Sequence, residues 1–177
     1  MITDSQDNAP QAVLDRRCIT FVCTGNICRS PMAERLFAHA LIAENEPLRS
    51  LEVISTGTYA GEGYPASRNA VAALKKVGLD LANHKSRPLT QDLIDQSLAI
   101  FTMTQMHRRV IEEEFDKTTP HVYLMREFLL NPKEVETPDP YGLSLSTYEA
   151  CRDSIVEAIP SIVKFLNNQL SKKTSTQ

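Results

Sequence analysis

No stretch of this sequence approaches 18 consecutive apolar residues, which excludes a membrane-spanning helix. The opening MITDSQDNAPQAVLDRR has no apolar core and does not read as a secretory signal. Basic charge is not in excess. The formal net charge is -3 and the pI is near 5.8, which argues against a sequence-independent nucleic-acid binder. Internal repeats, low-complexity tracts and a second domain boundary are absent. Cysteine is scarce: four residues, at positions 18, 23, 28 and 151. Without an export signal they read as reduced thiols. Cys18, Cys23 and Cys28 recur every five residues, which is not zinc spacing, and no nearby histidine completes a tetrahedron. No metal and no cofactor is expected. What is present is 177 residues, 42% hydrophobic and 23% charged. That suits one soluble, cytoplasmic domain, able to bury roughly 70% of its unfolded-chain surface without a disulfide or metal.

Residues 1–16 are polar and aperiodic and read as a disordered arm, 17–170 as the domain and 171–177 as a polar, disordered tail. Within the domain, strands alternate with helices. Residues 18–23, 51–55, 98–103 and 121–125 are short β-rich runs. Ser30-Pro31 reads as a helix start, followed by Met32, Leu36 and Ala40 with Ala33, Phe37 and Leu41 beside them, to about residue 45. Further helices are expected over 67–77, stopped by Gly78, over 91–96, capped by Thr90, and over 105–115. Tyr148, Cys151, Ile155, Ile159, Ile162 and Leu166 mark the stripe of a final helix, which Pro160 should kink or split. The alternation predicts a single-domain α/β fold with a parallel sheet covered on both faces. Sites in such folds lie at the carboxyl ends of strands. The first strand runs straight into Cys23.

The informative segment is Cys23-Thr24-Gly25-Asn26-Ile27-Cys28-Arg29-Ser30-Pro31, between a strand and a helix. Five residues suffice to curl the backbone so that its N–H groups converge, and Gly25 and Asn26 tolerate the positive φ this needs. The helix behind adds its positive end, and Arg29 a charged fork suited to phosphate oxygens. Thr24 through Cys28 would cradle a tetrahedral dianion. The same surroundings favour the Cys23 thiolate, a nucleophile held against phosphorus. Ser30 is placed to donate to its sulfur. No Gly-Lys-Ser/Thr follows the loop, which excludes a P-loop NTPase, and no G-x-G-x-x-G follows a strand, which excludes a dinucleotide site. Transfer to a thiolate needs an acid for the leaving oxygen. Asp139, stiffened by Pro138 and Pro140, is the candidate; a plain Asp-Pro turn is the local alternative.

The segment CTGNICRSPMAE with the distant DPYG resembles the low-molecular-weight protein tyrosine phosphatases, as do ISTGT at 54–58 and NHKSRPLT at 83–90. The similarity spans roughly residues 18–168. It implies a four-stranded parallel sheet, with the phosphate loop between the first strand and first helix. It implies a cysteinyl-phosphate on Cys23, Arg29 on the phosphoryl oxygens, and Asp139 as general acid and then base. A phosphorylated protein or peptide would be the substrate and inorganic phosphate a product. The resemblance also implies a network of Asn26, Ser30, Ser55 and His84 under the loop, although His84 alone reads as a surface histidine. The family often carries an aromatic after the second strand. There is no Trp, so Tyr59 or Tyr64 is expected to wall the cleft, with Tyr141 on the acid loop.

Arsenate reduction on the same fold needs a relay of thiols, and region 80–100, where the resembling reductases carry theirs, has no Cys. A non-catalytic phosphate-binding module is disfavoured by the presence together of Cys23, Arg29 and Asp139. Some bacterial members that resemble this chain act on phosphoarginine and typically have Thr where Ile27 stands. Ile27 therefore favours phosphotyrosine. Cys28, across the loop from Cys23, is a candidate redox partner that traps oxidised sulfur as a disulfide.

Overall fold

Four runs that are apolar or β-branched form the sheet in the computed structural model, which describes residues 18–116, 121–130 and 134–174. The arm read at 1–16 and residues 175–177 lie outside the described residues. Strands β1 (Cys18–Cys23), β2 (Glu52–Gly57), β3 (Ser97–Thr102) and β4 (Val122–Leu124) pair in the order β2-β1-β3-β4, all parallel. β1 and β3 are buried along their whole length, the reason they read as near-continuous apolar runs.

Helices cover both faces. On one lie α1 (Arg29–Leu41), α2 (Arg68–Lys75) and α5 (Leu145–Thr174). Alternate β1 residues, Ile19, Phe21 and Cys23, join Met32, Leu36, Phe37, Ala73, Leu74, Cys151 and Ile155 there in one core. On the other face α3 (Gln91–Gln96) and α4 (Gln105–Glu114) bring Ile94 and Ile111 against Val22 and Ile100. The two-residue period of β1 thus puts the sulfur of Cys23 on the α1 side. No helix among the described residues is long and apolar enough to cross a membrane.

Two helix expectations differ from the structure. Of the kink or split expected at Pro160, the split does not occur, and α5 runs unbroken past it. The ring is on the exposed side, beside Val156 at 45% exposure, so the carbonyl that loses its donor faces water. α5 also continues to Thr174, four residues into the stretch read as a tail. Ser171 Oγ donates to the Asn167 carbonyl at 2.8 Å, and extending a nucleated helix through polar residues costs little.

Candidate active site

The start of α1 departs from the sequence reading. Cys28, not Ser30, is the N-cap, and it makes no side-chain cap bond. Arg29, Ser30 and Pro31 form the first turn, so Ser30 is free for another task. Its Oγ lies 3.0 Å from Cys23 Sγ. Asn26 Nδ2 donates to Ser30 Oγ at 2.9 Å and to Ser55 Oγ at 3.0 Å. Ser30 therefore accepts from Asn26 and has one proton to give, shared between Cys23 Sγ and the Thr56 carbonyl at 3.1 Å. A thiolate would take it.

Asn26 alone among the non-glycine described residues has positive φ, at 53°. Gly25 does not share that conformation, so the loop needs one left-handed residue rather than two. Four groups hold Asn26. Besides Ser30 and Ser55, the Arg87 backbone N–H donates to its Oδ1 at 2.9 Å and His84 Nε2 donates to its carbonyl at 2.7 Å. His84 is 6% exposed, not the surface histidine its local sequence suggests. Burial lowers its pKa, against the Asn26 carbonyl, which raises it. Ser55 passes its own proton to Glu34 Oε2 at 2.5 Å. Glu34 and Arg87 went unread because nothing local distinguishes them from a solvated helix face and a loop cation.

Gly57 was also missed as a requirement of the site. A Cβ there would stand 2.3 Å from the Thr24 carbonyl and 2.9 Å from the Asn26 nitrogen. Only a glycine lets the end of β2 lie against the curled loop. The close fit is tied by Thr58 and Tyr59 backbone N–H groups donating to the Cys23 and Thr24 carbonyls.

Arg29 is 4% exposed. Nη1 donates to the Thr137 carbonyl at 3.2 Å and Nη2 to Asp139 Oδ2 at 2.8 Å. Nε is buried with no partner among the described residues, a donor that a phosphoryl oxygen would satisfy. Asp139 Oδ1 accepts from the Tyr141 backbone N–H at 3.2 Å, which favours a turn with the carboxyl aimed at Arg29. A cleft of about 290 Å³ opens over Cys23, walled by Ile27, Asp139 and Tyr141. Tyr59 and Tyr64 are not among its lining residues. The Tyr59 hydroxyl instead donates to Glu114 Oε1 at 3.2 Å, and the Tyr64 ring sits against Gly61.

Cys28 lies beneath the loop. Its thiol donates to Ser67 Oγ at 3.4 Å, and Sγ is 3.2 Å from the Tyr148 hydroxyl. Burial raises its pKa. Cys18 bonds the Gln96 carbonyl at the far end of β1, and Cys151 is buried on α5.

His107, at the first turn of α4, was not anticipated. It is 4% exposed, and its pKa is lowered to about 4, first by burial and then by Arg29. An unfolded histidine near 6.5 binds a proton that this one refuses, so stability is retained above pH 6.5 and lost as pH falls toward 4. The expected contribution is up to about 2 kcal/mol, reduced from the full linkage value because the ring borders an open cleft. Urea titrations at pH 7 and pH 4.5 should show a smaller drop for His107→Gln than for the wild type; equal drops would refute it.

Comparison with known proteins agrees with this geometry. The profile of the low molecular weight phosphotyrosine protein phosphatases matches residues 18–175. The chain is 37% identical over 148 residues to a protein-arginine-phosphatase of Bacillus subtilis, covering 84% of this chain and 95% of that protein. It is 30% identical over 147 residues to a probable low molecular weight protein-tyrosine-phosphatase of Ralstonia nicotianae, covering 83% and 94%. The crystal structure of a low molecular weight protein tyrosine phosphatase from T. tengcongensis superposes with a TM-score of 0.75 at 32% identity, over 83% of this chain and 97% of that one. With a cysteine at the end of β1, a curled loop and an arginine behind it, the chain belongs to the low molecular weight phosphotyrosine protein phosphatase family, cysteine-based hydrolases of phosphoric monoesters.

Proposed function

We propose that the protein hydrolyses phosphotyrosine in proteins, with Cys23 as nucleophile. The Cys23 thiolate attacks phosphorus in line, the bridging P–O bond breaks, and Asp139 gives its proton to the departing phenolate oxygen. The convergent loop N–H groups and Arg29 hold the phosphoryl oxygens as charge shifts. Water then attacks the cysteinyl-phosphate, Asp139 takes its proton, the P–S bond breaks, and inorganic phosphate leaves with the thiolate restored. Ser30 donates to that sulfur, which supports its departure. Asp139 lines the cleft over Cys23, which supports this role, and a phosphoryl dianion would compete with it for Arg29. A cytoplasmic setting suits an enzyme that depends on a free thiol.

Relatives act on either phosphotyrosine or phosphoarginine, so the choice rests on the cleft. The observation that carries it is Ile27, which lines the cleft over Cys23 while its other side packs on the core, facing a wall that includes Tyr141. A phenyl ring between these apolar walls gains by burial and dispersion. A guanidino group would set its N–H donors against the Ile27 and Tyr141 walls, where the carboxylate acceptor, Asp139, is already held by Arg29. Ile27→Thr keeps the branching and adds a hydroxyl. It should shift the ratio of kcat/KM for phosphotyrosine and phosphoarginine peptides toward phosphoarginine by roughly tenfold or more. A wild-type enzyme that already cleaves phosphoarginine with the higher kcat/KM would reverse the assignment.

A further inference from the structure

Thr24 lines two clefts: the one over Cys23, and an adjoining one of about 710 Å³ whose opposite wall includes Met106 and Pro138. Arg29 and Asp139 border both; the part of the larger cleft around Met106 and His107 has no role in the chemistry above. At the seam, Thr24 Oγ1 is 2.8 Å from His107 Nε2, and His107 Nδ1 is 2.9 Å from Thr104 Oγ1. Thr104 Oγ1 also accepts from the backbone N–H of His107, as the N-cap of α4.

The protons in this chain have a direction. The buried imidazole is neutral near pH 7 and carries one N–H. If Thr24 donated to Nε2, then Nδ1–H would donate to Thr104. The half-buried Thr104 hydroxyl proton would then have no acceptor among the described residues. In the other order Thr104 donates to Nδ1 and Nε2–H donates to Thr24. Every inner group is then satisfied, and the spare proton is on Thr24, which is exposed. Both hydroxyls border the open cleft, but Thr24 is exposed and Thr104 half-buried; the second order leaves the unpaired donor at the more exposed position, and so has the lower free energy.

Resting on the phosphatase reading, we infer that the adjoining cleft is a subsite for the polypeptide flanking the phosphorylated residue. In it, the Thr24 hydroxyl donates to a backbone carbonyl of that polypeptide. The phosphoryl oxygens already have the loop N–H groups and Arg29. A donor at the mouth meets what lies beyond them, and a carbonyl is the acceptor that every peptide presents. At about 710 Å³ the cleft has room for a few residues. His107, whose ring borders the same cleft, is a positioning residue: it acts by occupying the lone pair of Thr24, turning its proton outward.

The test is a ratio, kcat/KM for a phosphotyrosine peptide over that for free phosphotyrosine. Thr24→Val is isosteric and lacks the proton. It should lower the ratio about threefold to tenfold, mainly through the peptide KM, and Thr24→Ser should restore it. His107→Gln, which keeps an N–H donor, should hold the ratio better than His107→Leu. A ratio unchanged in Thr24→Val would overturn the subsite, whatever happens to the absolute rates. Nitrogen NMR of the wild type should show His107 protonated at Nε2; protonation at Nδ1 would overturn the donor's direction. If the wild type prefers phosphoarginine, the same ratio with phosphoarginine peptide and free phosphoarginine tests the subsite, so the two readings fail separately.

Discussion

Cys23→Ser is expected to remove turnover while leaving the anion cradle in place. The serine oxygen is a far weaker nucleophile at neutral pH, because its hydroxyl stays protonated where a thiol ionises. Nothing else in the site is lost. Asn26 remains held by Ser55, Arg87 and His84, and Arg29 keeps its buried place. Removing a nucleophile from an enzyme with covalent catalysis costs on the order of 10⁵-fold or more in kcat. Hydrolysis of nitrophenyl phosphate gives the rate, and calorimetric titration with inorganic phosphate reports the cradle. Phosphate binding within about threefold of wild type, with turnover gone, is the expected pair. Turnover within about a hundredfold of wild type would exclude a cysteinyl-phosphate, since a non-covalent route barely notices the sulfur.

The second large effect belongs to Asp139. Asp139→Asn keeps the size of the side chain and its turn with Tyr141, but it can neither donate the proton nor receive it back. General acid catalysis contributes about 10²- to 10⁴-fold, and most where the leaving group is basic. Tyrosine phosphate should therefore slow by about a hundredfold or more, and nitrophenyl phosphate, whose leaving oxygen needs little help, by much less. A second signature follows from the ion pair. Asp139 holds Arg29 Nη2 at 2.8 Å, so the neutral amide should release the fork to the phosphoryl group. KM should fall together with kcat. Loss that is equal for both leaving groups would show that the carboxylate only fixes the loop.

The phosphate loop and its chemistry were legible locally because they occupy one run of residues, Cys23 to Pro31, between a strand and a helix. A curl, a helix start and a charged fork are properties of neighbours in the chain. The stripe of α5 was readable for the same reason: side chains three to four positions apart share a face. Helix ends were less legible. Ser30 has the composition of a cap, yet the Cys23 sulfur and the Asn26 amide claim its hydroxyl, so the cap falls on Cys28. Tyr59 has the composition of a cleft wall, yet its hydroxyl goes to Glu114.

By itself, the sequence determined the alternating α/β pattern, the absence of a membrane-spanning run and the nucleophile-arginine spacing of the site. Asp139 was nominated locally and its role rested on resemblance. Only the tertiary structure showed what holds these groups. Asn26 is fixed by Ser55, His84 and Arg87, from segments 29 to 61 positions away, and Gly57 is demanded by the closeness of the loop to β2. His107 is poised against Thr24 from 83 positions away. These contacts leave no local periodicity. A hydrogen bond between distant segments depends on the sheet having brought them together, and the parallel order β2-β1-β3-β4 does so by setting their carboxyl ends side by side.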